Sequence, residues 1–178
     1  MVAMARMRSA IGGFCLSMLV MTAHAAGLQP GLAGLDFLVG SWTNGAGKVA
    51  ETGGSSKGSS HITVDAGGAV LLRRDHVELF DKAGKPGGSF DILMTIYAED
   101  GGVRADYFDG DHHIHYTSAA IVPGRSVAFT SAPSPGRPVF RLIYRRAADE
   151  LAISFAMAPP GQTSFHAIAD GSLRRGGD

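Results

Sequence analysis

The run Asp109-Gly110-Asp111-His112-His113-Ile114-His115 holds the densest set of side chains able to do chemistry in this sequence. On an extended strand His113 and His115 project from one face about 6.5 Å apart, so both imidazoles can reach a single metal ion. A third ligand must then come from another segment, and His61, His76, Asp106 and His166 are residues of a suitable type. The plainer reading of the same run is a turn, with solvated histidines beside two turn-forming aspartates.

A second candidate lies between Ala69 and Phe80. One face of that stretch carries Val70, Leu72, Arg74, His76 and Glu78, and the other carries Leu71, Arg73, Asp75, Val77 and Leu79. Both faces mix charge with bulk. With Arg74, His76 and Glu78 turned inward they form a polar patch in an apolar cavity, which is how a protein orients one small ligand. Turned outward, they form a salt-bridged face worth little energetically. Arg141 faces away from Phe140 and Leu142 and could bind a carboxylate as an inward group.

For catalysis the sequence offers no Gly-x-Ser-x-Gly elbow and no His-Glu-x-x-His helix, and the glycines at 53 to 58 lack the Gly-Lys-Ser/Thr ending of a phosphate loop. What remains is an acid-base pair across neighbouring strands, such as Asp106 with His115, which would suit a small hydrolase or isomerase. The serine-rich run from Ser55 to Ser60 reads as a hairpin tip.

These residues must be positioned by strands. From Gly40 onward, apolar or β-branched segments alternate with turn-formers, and no stretch sustains a helical period. The spacing predicts ten strands: Trp42 to Glu51, Ser59 to Val64, Ala69 to Phe80, Ser89 to Ala98, Val103 to Phe108, His113 to Ile121, Ser126 to Ser131, Val139 to Arg146, Leu151 to Met157, and Ser164 to Arg174. Phe90, Ile92, Met94 and Ile96 share one face, as do Phe140, Leu142 and Tyr144, and Leu151, Ile153, Phe155 and Met157. Short connections without long crossovers predict an up-and-down antiparallel barrel, which leaves no open edge. Gly31 to Val39, after Pro30, reads as a short apolar helix that plugs one barrel end.

Residues 1 to 26 read as a secretory signal: Arg6 and Arg8, an apolar run from Ile11 to Met21, and Ala23-His24-Ala25 as the cleavage pattern. The run is about half the ~20 residues needed to span a bilayer. The expectation is an exported, periplasmic or secreted protein with no integral membrane segment after cleavage. The full chain of 178 residues has 16 basic and 16 acidic side chains. Loss of Arg6 and Arg8 therefore leaves two more acids than bases, a balance that argues against nucleic acid as partner. The single cysteine, Cys15, leaves with the signal, which removes thiol chemistry, cysteine-ligated zinc and disulfides from the mature domain, 27 to 178.

A short apolar turn running into Gly40-Ser41-Trp42 resembles the Gly-x-Trp opening of lipocalins and related calycin barrels. In calycins an arginine of the last strand packs over that tryptophan and closes the barrel; the resemblance gives that role to Arg174 or Arg175. Further stretches, Leu35 to Trp42, Tyr107 to Tyr116 and Phe140-Arg141-Leu142-Ile143-Tyr144, look like an uncharacterised bacterial family of lipocalin-like proteins. The stretch from Met157 to Ala167 is similar to the nitrobindins, which implies haem as a possible cofactor with His166 as its ligand. Together these readings predict an all-β, calycin-like barrel that binds a small, largely apolar ligand without catalysis. Arg74, His76, His115, Arg141, Tyr144 and His166 are its candidate binding residues, and Gly40, Trp42 and Arg174 its closure. Haem or metal binding and a small hydrolase are the alternatives, and the oligomeric state stays open.

Overall fold

The computed structural model describes residues 27 to 176; the expected signal, 1 to 26, lies outside the described residues. Ten strands follow in order: β1 (Gly40–Val49), β2 (Gly54–Asp65), β3 (Val70–Phe80), β4 (Pro86–Glu99), β5 (Gly102–Phe108), β6 (His113–Val122), β7 (Ser126–Ser131), β8 (Val139–Ala147), β9 (Glu150–Ala158) and β10 (His166–Arg175). Each pairs antiparallel with its neighbours in sequence, and β1 pairs with β10, so the sheet closes into an up-and-down barrel. No strand edge is left open. No helix among the described residues is long and apolar enough to cross a membrane.

Alternation sets the inside. Along β5, Val103, Ala105 and Tyr107 are buried while Arg104 and Asp106 face outward. The apolar sets on β4, β8 and β9 follow the same alternation except at the end of β9, where Ala158 rather than Met157 is buried, and Met94, Ile96, Leu142, Tyr144 and Leu151 are buried in one core. Cross-strand register keeps partners on a common face, so Leu71, Arg73 and Asp75 of β3, opposite Ile96, Met94 and Ile92 of β4, also point inward.

One end of the barrel is packed shut. A 3-10 helix, Pro30–Leu38, opens on a proline and lies across this end, where Leu32, Leu35, Phe37 and Leu38 are buried. The Val39 N–H closes it by donating to the Asp36 carbonyl. Beneath it Trp42 is fully buried, and its Nε1 donates to the Leu38 carbonyl at 2.8 Å. The guanidinium of Arg175 covers the indole at 5.2 Å from the ring centroid and donates to the Val39 carbonyl at 3.1 Å. Gly40 has φ of +132°, and a Cβ there would stand 2.9 Å from Nη2 of Arg175, so only glycine fits under the arginine. The closing arginine is therefore Arg175. Arg174 is one residue out of phase, pairs with Thr43 and is exposed.

One further expectation changes. The serine-rich run is no hairpin tip: β2 begins at Gly54, and Ser55 to Ser60 pair with β1 on one side and β3 on the other. Small side chains hid this strand, because a serine-glycine segment shows no apolar alternation. β1 also carries a bulge between Trp42 and Gly45, which shifts the inward phase from Trp42 to Gly45 and Gly47.

Candidate functional site

Gly45, Gly47 and Gly58 border a cavity, and each stands so close to its neighbours (Leu173 and Ser172, Ser56, and the His76 carbonyl) that a Cβ there would clash. A cavity of about 470 Å³ occupies the half of the barrel away from the helix. That volume lies within the roughly 300–1,000 Å³ range of small-molecule sites. Its walls are apolar: Val77, Phe90, Ile92, Ile114, Leu142 and Ile153 face it. Aromatic rings add a flat wall, with Phe155 stacked on Phe140 at 5.7 Å and on Tyr107 at 6.3 Å between centroids. The ends of β1, β3 and β10 border its open side; Glu51 also borders it, as does the exposed Lys57 of β2, whose ammonium sits over the Phe80 ring.

The floor is polar. Arg73 and Asp75 both line the cavity, and both side chains are 5% exposed. The guanidinium donates Nε to Oδ1 of Asp75 at 2.8 Å and Nη2 to Oδ2, a bidentate pair. Its Nη1 donates to the Tyr144 hydroxyl and lies 3.8 Å from the Met94 sulfur. Burial is the largest single effect and would lower the Arg73 pKa, but the Asp75 charge, the nearby Tyr144 and Tyr107 and the hydrogen bond to Asp75 together outweigh it and hold the guanidinium above its ordinary value. Burial pushes the Tyr144 hydroxyl up, so the phenol stays neutral and serves as a hydrogen-bonding group.

A second polar group stands on the wall. The Tyr107 hydroxyl donates to Oδ2 of Asp109 at 3.0 Å, while Oδ1 accepts from the backbone N–H groups of Asp111 and His112. The Nδ1 of His112 lies 3.0 Å from the same oxygen. Partial burial opposes charge on Asp109, but these hydrogen bonds prevail and bring its pKa below the usual carboxylate value. Burial, reinforced by that carboxylate, raises the Tyr107 pKa.

The expected binding residues divide. Tyr144 is inside, fully buried beneath the floor and bonded to Arg73. Arg74 is exposed and outside the lining; His76 borders the cavity, but its side chain is about half exposed and pairs with Asp91 at 2.8 Å. The inward polar residues of β3 are Arg73 and Asp75, the other face, because the strand is in register with the apolar face of β4. Arg141 also stands outside the cavity lining, with its guanidinium 3.7 Å from the Phe165 ring centroid.

His113 and His115 do share a face, as strand geometry requires, but Ile114 and Tyr116 take the inward positions and turn both imidazoles to the outer wall. Nε2 of His113 and Nδ1 of His115 lie 3.1 and 2.9 Å from one oxygen of Asp106, and Tyr97 donates to the other at 2.8 Å. Partial burial works against the Asp106 charge, yet the hydrogen bonds from His113, His115 and Tyr97 lower its pKa. The bond to Asp106, aided by slight burial, pushes Tyr97 up to about 12. Both imidazole nitrogens converge on the carboxylate, and no three His, Cys, Asp or Glu side chains among the described residues are placed to hold a metal ion. The expected metal pair is thus a surface hydrogen-bond cluster, and Asp106 with His115 stands outside the cavity.

His166 begins β10 opposite Met157, is exposed and is absent from the cavity lining. The residues present therefore do not fit a haem held through His166. Sequence reasoning passed over Arg73, Asp75, Asp109 and His112 as cavity groups. The signal for the first two was the face of β3 richer in Leu71, Val77 and Leu79. No family model matches the chain, and no curated protein is significantly similar to it.

Proposed function

We propose that this barrel is an exported, non-catalytic binding protein that takes up one small, largely apolar molecule in its interior. The observation that carries the reading is the 470 Å³ cavity, apolar on its walls and open at one end, above a polar floor. Covering about 300 Å² of a ligand's apolar surface would contribute roughly 7 kcal/mol before the cost of association. The floor suits holding rather than turnover. Arg73 and Asp75 occupy each other, and the Tyr107 hydroxyl and the His112 imidazole both direct their hydrogen bonds at Asp109, with burial keeping the phenol protonated.

A ligand that binds only the closed barrel stabilises it by mass action, by about 2.7 kcal/mol at a hundredfold excess over Kd. Thermal unfolding with increasing N-phenyl-1-naphthylamine, an uncharged apolar probe, should therefore show Tm climbing steadily with probe concentration. A Tm indifferent to the probe up to its solubility limit would count against a binding cavity.

A further inference from the structure

The polar groups facing the cavity define the head group of its ligand, an inference that rests on the binding reading above. A guanidinium has five N–H donors. In Arg73 four are directed at partners: two at Asp75, one at the Tyr144 hydroxyl and one at the Met94 sulfur. An isolated arginine in an apolar pocket would recruit an anion, but this one is already neutralised in a bidentate pair. Asp75 is in the opposite position. Each of its oxygens accepts one bond from Arg73, which leaves about half of a carboxylate's four acceptor sites open. The floor is thus electrically balanced and rich in unused acceptors.

The wall adds to this. Asp109 contributes a second carboxylate without a cation in bidentate contact. Lys57 and Glu51, which carry opposite charges, also border the cavity. An anion driven to the floor would pass the Asp109 carboxylate on the wall and meet Asp75 beside an already paired guanidinium, whereas an uncharged donor would meet open lone pairs on Asp75 at no cost in buried charge.

We propose that the ligand is an apolar molecule bearing one uncharged hydrogen-bond donor, a hydroxyl or amide N–H, which bonds Asp75 at the cavity floor, and that the site discriminates against anionic amphiphiles. The test is displacement of N-phenyl-1-naphthylamine at pH 8 by three compounds of one chain length: 1-octanol, methyl octyl ether and octanoate. The expected order has 1-octanol displacing the probe at a concentration at least tenfold below either of the others. Since simple partitioning also favours octanol over octanoate, the ether isolates the donor and the Asp75→Asn variant isolates the charge. In that variant Arg73 loses its counter-charge, and octanoate should improve at least tenfold. An ether that matches octanol, or an octanoate that matches it, overturns the inference while leaving the cavity reading intact. A probe that never binds removes both. Should Asp75→Asn fail to fold, the ranking of the three compounds on the unaltered protein decides the question alone.

Discussion

Replacing Asp75 with alanine should destabilise the barrel by about 3–5 kcal/mol, because it leaves the Arg73 guanidinium buried without its counter-charge. Both side chains are 5% exposed, and the nearest other partners, the Tyr144 hydroxyl and the Met94 sulfur, are neutral. The pair as a whole is worth far less than either half. Desolvating two charges offsets most of what their attraction returns, so replacing both with apolar residues of similar size, Arg73→Met with Asp75→Leu, should cost less than about 1 kcal/mol or stabilise. Urea denaturation of the single and double variants makes the comparison, and a double variant as unstable as Asp75→Ala would show that the pair contributes more than mutual neutralisation. Asp75→Asn should fall between, since its amide oxygen can still accept from Arg73.

The second large effect is expected at the closed end. Trp42→Ala should cost roughly 3–5 kcal/mol by opening a cavity under the helix, where Phe37, Leu38 and the indole pack with no solvent contact. Trp42→Phe should retain much of the packing but strand the Leu38 carbonyl, at about 1–3 kcal/mol. Arg175→Ala removes the cation above the ring and should cost about 1 kcal/mol. Arg174→Ala, exposed and turned outward, should change stability by less than about 0.5 kcal/mol. Equilibrium unfolding that gave Arg174→Ala a larger effect than Arg175→Ala would reverse the assignment of the closing arginine.

The barrel was legible in the sequence because its strands advertise their inward faces. Phe90, Ile92, Met94 and Ile96 can bury only one side of a strand, and short turns between such segments leave a closed meander as the simplest way to hide every edge. Two strands were less readable for different reasons. The serine-glycine segment of β2 has no side chains large enough to record a face, and its place is fixed by backbone pairing with β1 and β3. β3 carries charges on both faces, so the extra apolar residues Leu71, Val77 and Leu79 are a weak signal, and its register against β4, which sets Arg73 opposite Met94 and Asp75 opposite Ile92, settles the phase.

The candidate site suffered from the same ambiguity. Tyr144 was identifiable because Phe140 and Leu142 fix its phase, and the phase of His113 and His115 was equally available from Ile114 and Tyr116 between and beside them. What no local pattern could reveal is that the Arg73 and Asp75 pair is buried under the Tyr144 hydroxyl of β8 and the Met94 sulfur of β4 and faces a cavity. Both are properties of the closed barrel, in which β3, β4 and β8 face one interior.

A titration of N-phenyl-1-naphthylamine into the unaltered barrel and into Ile153→Trp tests the interior cavity most directly. Ile153 faces the cavity, and an indole in its place fills much of that volume. The unaltered protein should bind one probe per chain with a blue-shifted, saturable emission, and Ile153→Trp, folded with an unchanged far-ultraviolet spectrum, should bind at least tenfold more weakly. Equal titration of the two proteins would place the probe on the surface and contradict a ligand-binding interior.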